Sequence, residues 1–275
     1  MALQQGPGLF VEVKNIHNPY ATRLAYTVGM NASLTRASLY LPGEEAPQSR
    51  PLAEMPLLIL VGLTGVGKTS LLKRLNYPTL PDRRELVDRY VFPLYGYAQP
   101  PLDRSERFAL TRRFRQEHPG GVAEILLNGR AMPAWPLLFD GLRGEEEVGF
   151  ALKRLPQSYF IVLEARDLTR LSRLLGRGDA FDKVRVDKGD LATLRQLAQG
   201  VLSEAELEEA LSWQVPLQEL AAKLKIVAEE RKNYSPDGTR QVLRGSPRAL
   251  FLDTEALSLD EEAAAIRAFV ERIHA

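Results

Sequence analysis

Residues 62–69 read Gly-Leu-Thr-Gly-Val-Gly-Lys-Thr and fit the spacing G-x-x-x-x-G-K-[ST] at every position. The glycines allow a tight backbone curl, so that successive amides point at phosphate oxygens. The helix that follows adds the partial positive charge of its N-terminus. Lys68 can reach the β- and γ-phosphates of a nucleotide, and the Thr69 hydroxyl can take one magnesium position. We expect the following residues to bind the nucleotide: Gly62, Leu63, Thr64, Gly65, Val66, Gly67, Lys68, Thr69 and Ser70.

Such a loop works with a carboxylate near the magnesium ion, and the chain offers one at the end of a second apolar run. Asp140 is the last residue of "WPLLFD" at 135–140. An acid at the carboxyl end of a buried parallel strand faces the ligand crevice of an open α/β sheet. Glu164 and Asp167 follow the next strand and are alternatives. We therefore predict that Thr69 and Asp140 hold magnesium.

Four continuous apolar runs predict β-strands that are buried on both faces of a parallel sheet. They lie at 56–61, 135–140, 159–165 and 249–254, and a weaker fifth lies at 77–80. Helical patterns separate them, which is typical of a doubly wound architecture. We therefore predict an α/β fold with a doubly wound parallel five-stranded sheet, whose first strand leads into the glycine-rich loop.

A long helical insertion, about residues 180–232, is predicted between the last two of these four runs. Asp190 and Ser203 are suited to cap two of its helices, and Pro216 suits the first turn of a third. We expect this insertion to be a lid or an element that docks a partner.

Residues 1–54 differ from the rest of the chain. They end in "ASLYLPGEEAPQSRPLAE", which is rich in proline, serine and glutamate and is typical of a linker. Earlier fragments such as "LFVEVK" show no sustained pattern, whereas a buried strand begins directly after Met55. We therefore predict a loosely attached extension at 1–54 and a folded domain at 55–275.

Composition narrows the kinds of site that the chain can build. Of its 275 residues, 45% are apolar and 26% are charged, as in an ordinary soluble globular protein. The chain has no cysteine, which excludes disulfides, thiolate metal sites and thiol nucleophiles, and its three histidines are widely spaced. A metal ion would therefore be a hard cation held by oxygen. We find no apolar run long enough for a membrane span and no secretory signal, and we expect a cytoplasmic protein.

The stretch "LLFDGLRG" resembles the strand-Asp-Gly-aromatic-Pro-Arg signature of adenylate kinase and related nucleoside monophosphate kinases. The elements that follow are similar too: an amphipathic stretch "EEEVGFALKRL", a strand "YFIVLEA", and "LTRLSRLLGRGD", which resembles the family's helix with two arginines just before the lid. The resemblance runs from Met55 to the C-terminus in element order, although only the glycine-rich loop is a specific match.

This resemblance implies a kinase fold, a phosphoryl-transfer reaction and roles for several charged residues. Asp140 would organise magnesium, Arg143 would contact the acceptor phosphate, and Arg173 and Arg177 would contact the transferring phosphates. Lys68 would complete this catalytic set. The family's proline is missing, so Arg143 comes one residue early, and the helical insertion replaces the usual lid sequence. The resemblance therefore implies a reaction type and not adenosine monophosphate as the acceptor.

The acceptor is expected to bind in the region 81–118. Asp82 can cap a helix that carries Arg83 and Arg84 in its first turn, and the preceding strand points these two arginines at the crevice. Arginine binds phosphate in a bidentate manner, so we predict that Arg83 and Arg84 bind a phosphorylated or acidic acceptor. A second basic stretch also suits an anionic acceptor, and the alternative for most of its arginines is a solvated helix face paired with Asp103, Glu106 and Glu117; its members are Arg104, Arg107, Arg112, Arg113 and Arg115.

Two other classes of protein share parts of this pattern. The loop also resembles the start of small GTPases, but the guanine-reading N-K-x-D is only approximated by "VDKGDL" at 186–191, in which Asp187 replaces the asparagine. The insertion has a helix-turn-helix rhythm, yet residues 190–225 carry six acids and three bases, a net charge of −3. Because DNA affinity depends on neutralising phosphates, a nucleic acid partner is disfavoured.

The sequence thus predicts ATP- and magnesium-dependent phosphoryl transfer to a small phosphorylated or acidic acceptor, with GTP the less favoured nucleotide. The alternative is a non-kinase NTPase, a switch in which hydrolysis of ATP or GTP moves the helices of the insertion against a protein or nucleic acid partner. A closed concave pocket opposite the glycine-rich loop favours the first function, and a flat or partner-covered surface favours the second.

Overall fold

The computed structural model describes residues 36–44, 46–101, 103–176 and 190–274. All of them belong to one compact unit, residues 33–275. This unit is a mixed α/β fold with a parallel sheet of four strands. The strands are β2 (Leu57–Val61), β4 (Leu138–Leu142), β5 (Ser158–Glu164) and β6 (Ala249–Asp253), in the order β4-β2-β5-β6. A short antiparallel pair, β1 (Arg50–Pro51) and β3 (Arg130–Ala131), forms a second sheet.

Helices cover both faces of the parallel sheet, because successive side chains of a strand point to opposite sides. From β2, Leu57 and Ile59 join the apolar cluster on one face, whereas Leu58 and Leu60 join the cluster on the other. The described helices are α1 (Lys68–Leu75), α2 (Arg83–Leu86), α3 (Arg104–Glu117), α4 (Val122–Leu127), α5 (Gly144–Arg154), α6 (Asp167–Leu175), α7 (Leu191–Ala198), α8 (Glu204–Ser212), α9 (Leu217–Asn233), α10 (Pro236–Leu243) and α11 (Leu259–His274).

The first face packs on α4, α5 and α10, and the second packs on α1 and α11. The predicted doubly wound arrangement is therefore present. Within the described ranges, every helix is too short or too polar to cross a membrane.

The fifth strand predicted at 77–80 does not form in the described residues. Leu80 N–H donates to Leu138 O and Leu138 N–H donates to Pro78 O, both at 2.8 Å, so the segment does run alongside β4. It makes only isolated bridges, in which Thr79 pairs with Leu138 and with Arg36. The proline has no N–H to donate, which shortens the ladder at this edge.

Residues 36–54 are part of the folded domain, so the boundary predicted at Met55 is wrong for this segment. Leu39 and Leu52 are 3% and 1% exposed and belong to the main apolar core. The Leu52 N–H donates to Gly129 O at 2.9 Å, and Tyr40 and Arg130 exchange two backbone hydrogen bonds. The proline- and glutamate-rich composition predicted a linker, because the burial of Leu39 and Leu52 depends on partners that are distant in the sequence. The rest of the predicted extension, residues 1–35, lies outside the described residues.

The helices of the predicted insertion build a small apolar core of their own with α6. Leu171, Leu194, Leu207 and Leu224 are all buried there, one each from α6, α7, α8 and α9. The predicted caps are confirmed where the structure describes them: the Asp190 side chain accepts from Thr193 N–H, and Ser203 forms a capping box. Pro216 is the N-cap of α9. The part of the insertion at 180–189 lies outside the described residues.

Candidate functional site

The glycine-rich loop joins the end of β2 to the start of α1 and has the backbone conformation that its glycines allow. Gly62, Gly65 and Gly67 have φ angles of 154°, 92° and 99°, a region that other residues rarely adopt. A Cβ atom on Gly65 would lie 2.8 Å from the carbonyl oxygen of Arg170 on α6. This position therefore needs glycine both for its backbone angle and because α6 packs closely on the loop.

Lys68, the first residue of α1, folds back over the loop. Its Nζ donates to Gly62 O at 2.7 Å and to Leu63 O at 3.1 Å. Burial lowers the pKa of Lys68 to about 8, and the nearby Asp140 carboxylate partly opposes this shift. The two carbonyls are weak partners compared with a charged phosphate, so this ammonium group is held where it can exchange them for an anionic ligand.

Asp140 lies beside the loop because β4 is the neighbour of β2, with Asp140 in register with Leu60. Its Oδ1 atom is buried and has no hydrogen-bond partner among the described residues. Burial raises the pKa of Asp140, and the positive charge of Lys68 opposes this. A buried oxygen without a partner is costly, which is the state expected of a group that completes its bonding with a ligand.

A cavity of about 640 Å³ brings the predicted nucleotide and acceptor residues onto one surface. The loop forms one wall, and the end of β4 and the start of α2 form another. Thr254 and Leu257, from the segment between β6 and α11, and Leu259, the first residue of α11, complete it. The predicted site residues that line this cavity are Thr64, Gly65, Gly67, Lys68, Thr69, Ser70, Arg83, Arg84, Asp140, Arg143 and Arg173. A crevice at the carboxyl ends of parallel strands is the usual ligand position in such sheets.

The two alternative acids lie elsewhere. Glu164 forms an ion pair with Arg240, and Asp167 forms ion pairs with Arg170 and Arg231. Both acids line a second, smaller cavity of about 290 Å³ on the other side of the loop. Asp140 is therefore the carboxylate of the three that faces the larger cavity beside Lys68 and Thr69.

Arg83 lines the cavity, but its guanidinium group is engaged in a buried ion pair. Its Nη1 donates to Glu147 Oε2 at 2.5 Å and to Gly141 O at 3.1 Å, and its Nη2 donates to Tyr234 Oη at 3.1 Å. Glu147 is 1% exposed, so the loss of either partner would leave a buried charge. These contacts favour a structural role for Arg83. Arg84, the other arginine predicted to bind the acceptor, also lies on the cavity wall.

Arg143 stands between the two cavities and lines both of them. Its Nη1 donates to Glu230 Oε1 at 2.6 Å, and its Nη2 lies 3.5 Å from the Thr64 hydroxyl oxygen. Its Nε is buried without a hydrogen-bond partner among the described residues. The Arg143 guanidinium group, predicted to contact an acceptor phosphate, is thus next to the loop. One of its N–H groups already donates to Glu230, a carboxylate of the helical insertion.

Arg173 lies on α6 and also reaches the loop. Its Nη1 donates to the Thr254 hydroxyl at 2.8 Å, and its Nη2 donates to Thr254 O at 2.6 Å. The Gly65 carbonyl oxygen lies 3.4 Å from Nη1, so the side chain touches the loop as well as the segment after β6. Arg177, predicted to act with Arg173, lies outside the described residues.

The described arginine side chains of α3 do not line the cavity. Arg107 pairs with Asp88, Arg113 pairs with Glu117, and Arg115 donates to Asn233. Of the described side chains in the predicted acceptor region, only those at the start of α2 and its cap line the larger cavity. The alternative of a helix face paired with other groups fits α3 better than acceptor binding does.

Two residues of the site were missed by sequence reasoning, Glu230 on α9 and Arg170 on α6. Glu230 is 0% exposed and accepts from the Thr64 N–H at 2.9 Å and from the Thr64 hydroxyl at 2.5 Å. Arg170 is 1% exposed; its Nη2 donates to Glu230 at 2.5 Å and its Nε donates to Thr64 O at 2.8 Å. The arginine lies one turn before Arg173 on a helix already noted for its arginines. No local sequence pattern around Glu230 predicts its position at the loop.

The oxygen groups at the loop fit a magnesium ion that arrives with a nucleotide. Across the residues that the structure describes, no cluster of three or more histidine or acidic side chains could ligate a metal ion. Magnesium in nucleotide sites is held by one or two protein oxygens plus phosphates and waters. The buried, unpartnered Asp140 Oδ1 and the exposed Thr69 match that donor set.

A comparison of the chain with models of known protein families matched none of them, and a comparison with curated protein sequences found no match either. The functional argument therefore depends on the geometry of this site.

The lowered pKa of Lys68 predicts a pH dependence of nucleotide binding. The ammonium form binds phosphate, so a bound nucleotide raises its pKa and binding takes up a proton above pH 8. We expect the dissociation constant for ATP to rise roughly tenfold or more between about pH 7.5 and about pH 9.5. Calorimetric titrations in buffers of different ionisation enthalpy would measure both the affinity and the proton uptake. An affinity that stays constant across this range would contradict the assignment.

Proposed function

We propose that the protein transfers a phosphoryl group from ATP, with magnesium, to a small phosphorylated or acidic acceptor. The observation that carries the proposal is the 640 Å³ cavity, in which the loop, Lys68 and Asp140 share one space with Arg84 and Arg143. A pure hydrolase needs only a phosphate loop and a water. A concave space with additional arginines beside the loop suits a second anionic ligand.

In this reaction the protein contributes positioning and charge neutralisation, because phosphoryl transfer asks for little covalent chemistry. Lys68 and the loop amides would hold the β- and γ-phosphates. Thr69 and Asp140 would hold the magnesium ion, which neutralises phosphate charge when bound. Arg173 would neutralise charge on the transferring phosphates, and Arg84 would bind the acceptor. A helical insertion in the lid position would exclude water, without which a kinase hydrolyses its ATP.

Replacing Asp140 with asparagine should raise the magnesium requirement of this activity sharply. The change keeps the side chain's size and removes the charge that attracts the cation, which is worth several kcal/mol where water is scarce. We expect at least about a tenfold higher magnesium concentration at half-maximal rate. Glu164→Gln is the matched control, since Glu164 lies on the other cavity and pairs with Arg240. An unchanged magnesium titration of the Asp140 variant would contradict the assignment.

The proposal is tested by incubating the protein with ATP, magnesium and a panel of acceptors. Nucleoside monophosphates, sugar phosphates and small carboxylic acids cover the anionic classes that arginines recognise. The expected result is a phosphorylated product that forms only with ATP and at least one acceptor. ATP binding with release of inorganic phosphate alone, at a rate unaffected by every acceptor, would count against a kinase.

A second function, an NTPase switch, is favoured by one specific observation. Helix α9 of the insertion touches the loop directly, through the hydrogen bonds of Glu230 with Thr64. An element that senses the loop can report the nucleotide's state to a protein partner. Protection of α9 from hydrogen exchange that differs between ATP- and ADP-loaded protein, together with hydrolysis insensitive to acceptors, would favour the switch.

A further inference from the structure

A carboxylate from the helical insertion is bound at the rim of the phosphate loop. Glu230 on α9 is completely buried and accepts hydrogen bonds from these described groups: the backbone N–H and the hydroxyl of Thr64, Arg143, and Arg170. All four lie between 2.5 and 2.9 Å. Thr64 is the third residue of the glycine-rich loop, and it lines the larger cavity with Lys68.

The donors around this carboxylate are those that proteins use for phosphate. Guanidinium groups, a hydroxyl and a loop amide bind phosphate oxygens and carboxylate oxygens alike. Here Glu230 supplies the negative charge that the terminal phosphate of a nucleotide would supply to the same donors. Because Thr64 and Arg143 both face the nucleotide cavity, a phosphate that reaches Lys68 comes close to the Glu230 carboxylate.

Arg143 and Arg170 differ in the carboxylate partners that they keep if Glu230 is displaced. Arg170 also has Asp167, whose Oδ1 accepts from its Nη1 at 2.5 Å. For Arg143, Glu230 is the only carboxylate in contact with the guanidinium group among the described residues, and its Nε has no partner there. A largely buried cation such as Arg143, whose side chain is 20% exposed, is destabilised when it loses its counter-charge. Arg143 is therefore the group that a terminal phosphate would take over from Glu230.

Resting on the nucleotide site proposed above, we propose that Glu230 competes with the terminal phosphate of a bound triphosphate for Thr64 and Arg143. Glu230 is then a specificity-determining residue. It lowers the affinity of the empty site for a triphosphate, and it leaves a diphosphate, which does not extend to these donors, largely unaffected. Its position on α9 makes the helical insertion the element that responds when the terminal phosphate binds.

The test compares binding of magnesium adenylyl imidodiphosphate, a non-hydrolysable triphosphate analogue, with binding of magnesium ADP by calorimetry. Glu230→Gln removes the charge with little change of shape. We expect its affinity for the analogue to rise at least about tenfold and its affinity for ADP to change by less than about twofold. Glu229→Gln is the matched control: it makes the same charge change on the adjacent, partly exposed residue, which pairs with Lys232, and both affinities should stay at the parent values.

Glu230→Gln removes the counter-charge of two arginines, so thermal melts must accompany the titrations. Should this variant fail to fold, Glu230→Asp provides the second test, because it retains the charge for Arg170 and withdraws the carboxylate from Thr64 by one methylene. It should also bind the triphosphate analogue more tightly than the parent protein does, by a smaller factor.

Two outcomes would overturn the inference, and they are distinguishable. A parent protein that binds both nucleotides, with a folded Glu230 variant whose triphosphate affinity is unchanged or weaker, would show that Glu230 supports the loop instead of competing with the ligand. A parent protein that binds neither nucleotide at any magnesium concentration would overturn the proposed function and this inference together.

Discussion

Lys68→Ala should abolish phosphoryl transfer and leave the fold intact. Among the described residues, the Lys68 ammonium group donates to two loop carbonyls, and it faces the cavity, so its removal takes away no apolar core contact there. During transfer, the same group would neutralise charge on the transferring phosphates. Loss of one such donor costs typically 10²-fold or more in turnover. The measurement is the steady-state rate of product formation or ATP hydrolysis, with a thermal melt of each protein.

Lys73→Ala is the matched control for this experiment. Lys73 is on the same helix, α1, and is exposed to solvent away from the cavity. The same loss of charge there should leave the rate within about twofold of the parent, since exposed substitutions rarely matter. If Lys68→Ala keeps the parent rate, the glycine-rich loop is not the catalytic site.

A chain that begins at Met55 should lose most of its stability, in contrast to the expectation from sequence. The deletion removes Leu39 and Leu52 from the main core and strand β1 from its pairing with β3. Each buried leucine is worth about 2–5 kcal/mol when truncated to alanine. Together they approach the roughly 5–15 kcal/mol of a whole domain. We expect the shortened protein to be insoluble, or to melt far below the full chain.

A single substitution measures the same contribution in the intact chain. Leu52→Ala should lower the free energy of unfolding by about 2–5 kcal/mol in urea denaturation. Glu54→Ala, two residues further and exposed, should change it by less than about 0.5 kcal/mol. A shortened chain that melts within a few degrees of the full protein, together with a neutral Leu52→Ala, would restore the boundary at Met55.

Much of this protein follows from local sequence patterns. The strands at 57–61, 138–142, 158–164 and 249–253 overlap the four predicted apolar runs, because strands of a covered parallel sheet are largely apolar. The conformation of the glycine-rich loop at 62–69 was predictable because its glycines are needed at positive φ. The position of Asp140 beside the loop followed from the rule that parallel strands carry their ligands at their carboxyl ends, although Asp140 is the middle residue of β4 and not the last residue of its strand as predicted. These inferences depend on residues that are close in sequence.

The tertiary structure decided which charged residues share a space and which are already paired. Arg83 and Arg84 look equivalent in sequence, yet the first is buried against Glu147, 64 residues away along the chain. Ion pairs with distant partners are also formed by Arg107 and Arg112 of α3, by Glu164 with Arg240, and by Asp167 with Arg231. A charged side chain carries no local mark of its partner, because a solvated and a paired arginine occupy the same helical positions.

Residues 36–54 and Glu230 also show that local sequence patterns do not predict long-range contacts. A proline-rich segment with few leucines shows no periodicity, so its burial is visible only once Gly129 and Arg130 are beside it. The hydrogen bond from Thr64 to Glu230 joins residues 166 positions apart. Hydrophobic periodicity and motif spacing report local conformation, whereas contacts of this range depend on how the helices and strands pack. The sequence by itself therefore determined the strands, the glycine-rich loop and the carboxylate of Asp140 beside it. Packing alone decided which other side chains surround the loop.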